Sequence, residues 1–402
     1  MGRSILGRVA SDPTSRFPAG AAVTAADLAD DPHPHLARLR EREPVSWLPA
    51  LGGWLVTSRD AALRVLRDAA AFTVDDPRFS TAQVVGPSML SLDGPAHARH
   101  RDPFARPFRP AATRERFTAF VEAEAARLVA GLAPAGRAEL RGALAGPLAV
   151  AVVTEALGLD GVDAATVRSW YATFVEAVSA ITAGGAAPPE AAQAYRLLGE
   201  AVGEAAAASR PGSLLAGAAR DTAGLSPAEV TANAAILMFG GIDTTEGMIA
   251  NAALHLLGHP GQLRLVLDDP GLLPAAIEES LRLEPTAAVV DRYAVRDVRL
   301  AGADVRAGDL VRVSIAGANR DPAVFPDPDR YDVLRDNAAE HLSFAHGPHF
   351  CFGSHLARLE ARTALAALLD RLPGLRLDPS RPARPHGLVF RRPPRLDVVW
   401  DT

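Results

Sequence analysis

One cysteine stands among the 402 residues, and it sits where metal chemistry is a reasonable reading. Cys351 lies in Phe344-Ala-His-Gly-Pro-His-Phe-Cys-Phe-Gly353. A lone cysteine cannot form an internal disulfide. An inert buried thiol, a nucleophile or a metal ligand remain open. Gly347 and Gly353 bracket the sulfur, which suggests backbone that turns tightly or lets something bulky approach, and this favours a ligand. Downstream, Leu356, Leu359, Thr363 and Ala366 recur at helical spacing. Cys351 is therefore expected just before a helix N-terminus, where the dipole and free N–H groups favour a thiolate. His346 and His349 could join Cys351 around zinc, but a fourth ligand is missing from the pattern.

Three further constellations carry chemistry. Gly240-Gly241-Ile242-Asp243-Thr244-Thr245 interrupts an otherwise apolar helical stretch. Each mid-helix glycine costs roughly 1 kcal/mol against alanine, so a ligand's close approach or a packed kink should offset it. Asp243 and Thr244 place a carboxylate and a hydroxyl at a depth where polar groups need partners. Glu279 and Arg282 share a helix face at i,i+3, as do Glu278 and Arg282 at i,i+4; alone, these read as surface pairs of small energetic weight. His97 and Arg101 share a face after Pro95 and suit an anion.

The elements that must position these groups are mostly helical. Ser226-Pro-Ala-Glu229 is a capping box with proline at the first helical position. The apolar pattern then continues to Leu257, a buried helix of about 31 residues and roughly 45 Å. Pro274 opens a helix to Leu283, and further helices are expected from Ser58 to Arg67, up to Gly131, and from Pro147 to Gly158. Residues 163–209 read as Ala-rich helices with a hinge at Gly184-Gly185 and Pro188-Pro189. Short strands are expected at Val45–Leu48 and Trp54–Thr57 around Gly52-Gly53, at Val298–Leu300, Val305 and Leu310–Val313, and near Leu388–Phe390 and Leu396–Trp400. Residues 72–92 read as a long loop, and residues 1–30 as a loosely ordered N-terminal segment. No linker or repeat divides the rest, so residues 31–402 form one mainly α domain with a minor β part.

Bulk properties narrow the class. With 48% hydrophobic residues the chain can bury a substantial core. The net charge of −5 and the absence of a basic run make nucleic acid an unpromising partner. All 42 basic residues are arginine, a codon-bias signature rather than a functional one. One cysteine fits a reducing compartment. The start lacks a signal-peptide pattern, and no apolar run reaches the roughly 20 residues that span a membrane. A soluble, cytoplasmic protein is expected.

Taken together, the motifs closely resemble the cytochrome P450 family in its soluble bacterial form. Those that carry the resemblance are Phe344-x-x-Gly347-x-His349-x-Cys351-x-Gly353, Glu279-x-x-Arg282 and Gly240-Gly241-x-Asp243-Thr244-Thr245, in the required order. Asp93-Gly-Pro-Ala-His97-x-x-x-Arg101, Ala318-Asn-Arg-Asp-Pro322 with Phe325, and Leu356-Ala-Arg358 extend it from about residue 30 to the C-terminus. The family's variable position after the cysteine is Phe352.

The resemblance implies a single-domain P450 fold, with a long central helix over a buried haem b, and a monooxygenase. Cys351 would be the axial thiolate of the haem iron, with Phe344 near the sulfur and Gly347 and Gly353 letting the loop lie on the porphyrin. His97, Arg101, Arg292 and His349 would meet the propionates. Gly240 and Gly241 would bring the central helix over the other haem face, with Thr244 and Asp243 as a proton relay. Glu279 and Arg282 would be structural. The substrate lining would include Val84, Val85, Met89, Leu90, Leu237, Ala287, Ala288, Val289, Val290, Leu388 and Val389, some of them ordinary core, around a mostly apolar small or medium-sized substrate. Hydroxylation or epoxidation in secondary metabolism is implied, with O2 as co-substrate. Electrons from NAD(P)H would arrive through ferredoxin reductase and ferredoxin, docking near Arg106, Arg109, Arg358 and Arg362 of a monomer. An atypical reaction (aryl coupling, nitration, peroxide use) and a non-catalytic haem or metal protein are the alternatives.

Overall fold

The computed structural model describes residues 13–182, 185–208, 210–221 and 224–402. Helices dominate, and the central one is organised by its start. Ser226 caps it through the Glu229 N–H while the Glu229 carboxylate accepts from the Ser226 N–H at 2.8 Å. The helix runs Pro227–Gly241, with Val230–Ile236 and Met238 buried. A second helix, Asp243–Gly258, continues it. The expected single helix is thus interrupted at Ile242, whose φ −86° and ψ −74° lie at the edge of the right-handed helical region. Thr244 Oγ1 bonds back to the Gly240 carbonyl there, competing with the backbone ladder next to two glycines.

The Asp243–Gly258 helix packs on Ser354–Arg371, which follows Cys351, and on Leu273–Leu283, which carries Glu279 and Arg282. Ser354–Arg371 also lies along Pro110–Leu132. The Pro227–Gly241 helix packs on Gly146–Leu157, Ala164–Thr182 and Pro189–Ala208. The hinge expected between the last two falls partly outside the described residues, at Gly184.

The β part is a five-stranded sheet in the order Val45–Leu48, Gly53–Val56, Leu310–Ser314, Val289–Ala294, Phe72–Thr73. The hairpin expected around Gly52 forms with Val45 opposite Val56, while Trp54 pairs in parallel with Val311. A second sheet joins Arg137–Glu139, Asp397–Val399 and Arg376–Leu377. The strand expected at Leu388–Phe390 is only a bridge from Phe390 to Ala287.

Of the segment expected to be loose, residues 1–12 lie outside the described residues, and residues 13–30 hold Pro13–Arg16, Pro18–Ala21 and Ala25–Asp30, with Val23 and Leu28 buried against Leu36 and Leu48. Their proline and aspartate act as helix starts and caps, as in the Thr24–Asp27 capping box. Residues 72–92 hold the strand Phe72–Thr73 and the helix Ser80–Val85, too short to show a period.

Candidate active site

The cysteine loop is held by its own backbone. The Cys351 N–H donates to the Phe344 carbonyl at 2.9 Å, Phe350 N–H to Gly347 at 3.0 Å, and Ala357 N–H to Gly353 at 3.0 Å. This sets the sulfur just before the Ser354–Arg371 helix. Gly347 has φ +75°, and a Cβ there would lie 2.4 Å from the Leu66 carbonyl. The glycine expected to admit a large group is therefore required by a neighbouring helix end. Gly353 is different: its nearest neighbour would be the sulfur itself at 3.7 Å, so nothing crowds that side. The Phe344 ring lies under Arg358, 4.4 Å from centroid to guanidinium carbon. Arg358 is held by Glu278 at 2.6 and 2.8 Å.

Cys351 has exposed surface although protein surrounds it. Burial pushes its thiol above the ordinary value, against the opposing Gly353 N–H and the Arg101 and Arg358 charges. A cation at the sulfur is what would complete its ionisation. The zinc arrangement finds no geometry: His346 bonds Arg67 at 3.1 Å, and His349 bonds Asp93 at 2.9 Å.

His97, Arg101, Arg292 and His349 converge beside this loop. The His97 and His349 rings are 4.3 Å apart. Arg101 donates to the Phe350 carbonyl at 2.6 Å, and buried Arg292 only to its neighbour Asp291's carbonyl at 2.7 Å. Burial, with His349 and Arg101 nearby, lowers His97 to about 4, and burial lowers Arg292 to about 10. His97 Nε2 is buried without a partner. Of these four basic side chains, His349 alone is hydrogen-bonded to a carboxylate, that of Asp93.

On the kinked helix, Gly240 faces open space, with nothing within 4 Å of where a Cβ would sit. Gly241 does not: a Cβ there would meet Val153 Cγ2 at 2.5 Å. One glycine of the pair leaves room for a ligand and the other permits helix–helix contact. Thr244 Oγ1 has exposed surface, while Asp243 is buried and paired with Arg392 at 2.7 Å. Arg392 was missed in the sequence, because its partner is 149 residues away and no spacing links them.

Glu279 and Arg282 are both fully buried and joined by two bonds of 2.7 and 2.8 Å. Arg282 also donates to the carbonyls of Asn319, Pro328 and Arg330, and Arg335 pairs with Glu279 at 3.0 Å. The pair is therefore no surface pair; it pins the irregular 319–336 segment from within.

Comparison with known proteins decides the family. A Cytochrome P450 family model matches residues 267–394. Cytochrome P450 monooxygenase PikC of Streptomyces venezuelae is 39% identical over 376 residues, 88% of this chain and 87% of that one. The chain belongs to the cytochrome P450 family. It is a monooxygenase, an oxidoreductase that incorporates an atom of molecular oxygen. Another P450 relative, mycinamicin IV hydroxylase/epoxidase of Micromonospora griseorubida, is 37% identical over 380 residues, 90% of this chain and 94% of that one. Among solved P450 structures, P450BioI in complex with an acyl carrier protein ligated to hexadec-9Z-enoic acid superposes with a TM-score of 0.84 at 28% identity, covering 92% of this chain and 98% of that one.

Haem, the P450 cofactor, carries two carboxylates and a cationic iron, and the residues fit it. The unpartnered His97 Nε2, the Arg292 guanidinium bonded only to a backbone carbonyl, and the accessible sulfur are the groups such a molecule would satisfy.

The expected substrate lining divides. Val85, Met89 and Val153 belong to the large helical core, and Val84, Leu90, Leu237 and Phe239 pack against it partly buried. Ala288, Val289 and Leu388 pack instead with Val23, Leu28 and Leu36 beneath the N-terminal helices, and Val290 joins the sheet core. Ala287 is half-buried and Val389 is exposed. Sequence reasoning missed Tyr171, Phe239 and Phe390, whose rings form a row with centroids 6.2 and 5.6 Å apart. Among the described residues no helix is long and apolar enough to cross a membrane.

Proposed function

We propose that this P450 inserts one oxygen atom from O2 into a mostly apolar, small or medium-sized substrate of bacterial secondary metabolism, by hydroxylation or epoxidation. The observation that carries the reading is the pairing of an accessible Cys351 at a helix start with a kinked helix bearing Asp243 and Thr244. Haem b, when bound, supplies the iron at which O2 is activated. Cys351 would be its sulfur ligand, and His97, Arg101, Arg292 and His349 would hold its carboxylates by charge-assisted bonds. Gly240 leaves the helix without a side chain facing the pocket. Thr244, whose hydroxyl now bonds the Gly240 carbonyl, can turn that proton outward, and Asp243 one residue earlier resupplies it. Val84, Val85, Met89, Leu90 and Leu237 shed water from the substrate's apolar surface. The name of the Micromonospora relative supports hydroxylation or epoxidation. Electrons come from NAD(P)H through a reductase and a ferredoxin that docks on the cysteine side, where Arg106, Arg109 and Arg362 are exposed. The enzyme works in the cytoplasm as a monomer.

The reduced, CO-bound absorption spectrum tests the ligation. The Soret band should carry the thiolate red shift and lose it in Cys351→Ala; a wild-type band without the shift would sink the assignment. Thr244→Ala should send reducing equivalents to peroxide or water instead of product. Unchanged coupling in that variant would remove the relay.

A further inference from the structure

Asp243, Gly247 and Asn251 are spaced by four residues, so they line one face of the Asp243–Gly258 helix. That face is polar, buried and incompletely bonded. Asp243 is paired with Arg392, but Arg392 Nε has no partner. Thr286 is 4% exposed and its Oγ1 has no partner. Both lie in the notch at Gly247: a Cβ there would come within 3.0 Å of Thr286 Oγ1 and 3.3 Å of Arg392 Cδ. Tyr171 reaches in from the Ala164–Thr182 helix, 5% exposed, and its Oη, without a hydrogen bond of ordinary length, faces the Asp243 carboxylate. Its hydroxyl is held protonated by burial and by the nearby Asp243 carboxylate. Asn251 Oδ1 is a fourth such atom on the same face.

Orphaned buried polar atoms are costly, and several rarely gather without water to join them. These atoms mix donors and acceptors, as a water requires. Arg141 pairs with Glu246 at 2.5 Å and donates to the carbonyls of Pro393 and Pro394 at 3.2 and 2.5 Å, which pins the segment carrying Arg392. The Arg392 side chain is 19% exposed, so the cluster reaches solvent at that end.

We propose that Tyr171, Thr286 and Arg392 are positioning residues of a buried water site that replenishes the proton on Asp243. A proton passed from Asp243 toward Thr244 is replaced from this water, which regains its own from solvent at the Arg392 end. The proposal rests on the relay reading of Asp243 given above.

Two near-isosteric variants of the haem-loaded enzyme test it, Tyr171→Phe and Thr286→Val, alongside Asp243→Asn. High-resolution crystals of wild type should show ordered water within hydrogen-bond distance of Arg392 Nε and Thr286 Oγ1, and of Tyr171 Oη. Each variant should lose the water at its own position while keeping the CO-bound spectrum and the KM. The fraction of electrons ending in product should fall several-fold, and the solvent deuterium effect on turnover should rise. A dry cluster in wild type overturns the proposal. So does wild-type coupling and solvent isotope effect in both variants when Asp243→Asn uncouples. If Asp243→Asn itself leaves coupling unchanged, the relay reading falls and this proposal falls with it.

Discussion

Alanine at Gly240 and alanine at Gly241 should have opposite consequences for the folded protein. At Gly240 the added methyl meets nothing, so Gly240→Ala should leave stability unchanged or raise it by up to about 1 kcal/mol through helix propensity. At Gly241 the methyl meets Val153, and Gly241→Ala should cost about 1–3 kcal/mol as an overpacked contact. Denaturant midpoints of the two variants, measured side by side, check this. Equal shifts would contradict the division of labour between the glycines. The sequence shows two adjacent glycines in a helix and the chemistry beside them. It does not show which one faces space, because that depends on where Val153 of another helix lies. The same holds for Arg282, whose burial turns an ordinary i,i+3 pair into the anchor of a distant segment.

Elements are tied together by a second buried ion pair. Glu284, at the end of Leu273–Leu283, accepts from Arg391 at 2.7 Å and bonds His33 at 2.8 Å. Arg391 in turn donates to the carbonyls of Ala29 and Gly387, each at 2.9 Å, so the N-terminal helices and the tail are joined there. Burial raises the Glu284 carboxyl, but the His33 hydrogen bond and the Arg391 and Arg320 charges outweigh it and hold it at about 2, below the ordinary 4.5. A depressed acid stabilises the fold fully above its unfolded value and loses that contribution as pH falls. The Glu284 contribution is thus present above about pH 4.5 and disappears toward pH 2. Glu284→Gln should lower stability at pH 7 by about 3–5 kcal/mol, because Arg391 is left buried without a charge partner. It should also flatten the acid limb of the stability curve. Unfolding midpoints collected between pH 7 and 3 would show both effects, and an unaltered acid limb would place the titration elsewhere.

For the whole molecule, haem should act as a folding ligand, since it binds the native state and satisfies groups that are otherwise unpaired. Stripping it should lower Tm. The size of that drop should shrink in Arg292→Leu, which weakens haem retention. Proton uptake offers a finer check. His97 is held at about 4 by burial and by the neighbouring His349 and Arg101, so it is neutral near pH 7 without an anion. A carboxylate at Nε2 raises that value. Binding therefore takes up a proton between the two pKa values and weakens as pH rises through the upper one. Calorimetric titration of the stripped protein in buffers of different ionisation heat measures the uptake, and His97→Gln should abolish that share of it.

By itself, the sequence determined the helical class, the cysteine loop, the capped central helix and the family, because these depend on local spacing along a few turns of chain. Cys351, Gly353 and Asp243-Thr244 could be read before any coordinates. Only the tertiary structure decided what each group faces. It broke the central helix at Ile242, set Gly347 against the Leu66 carbonyl, and gathered Ala288, Val289 and Leu388 in one cluster with Val23, Leu28 and Leu36. It also brought Arg392 to Asp243 and Tyr171 toward it. Burial and pairing arise between segments far apart in the chain, and local periodicity carries no record of them.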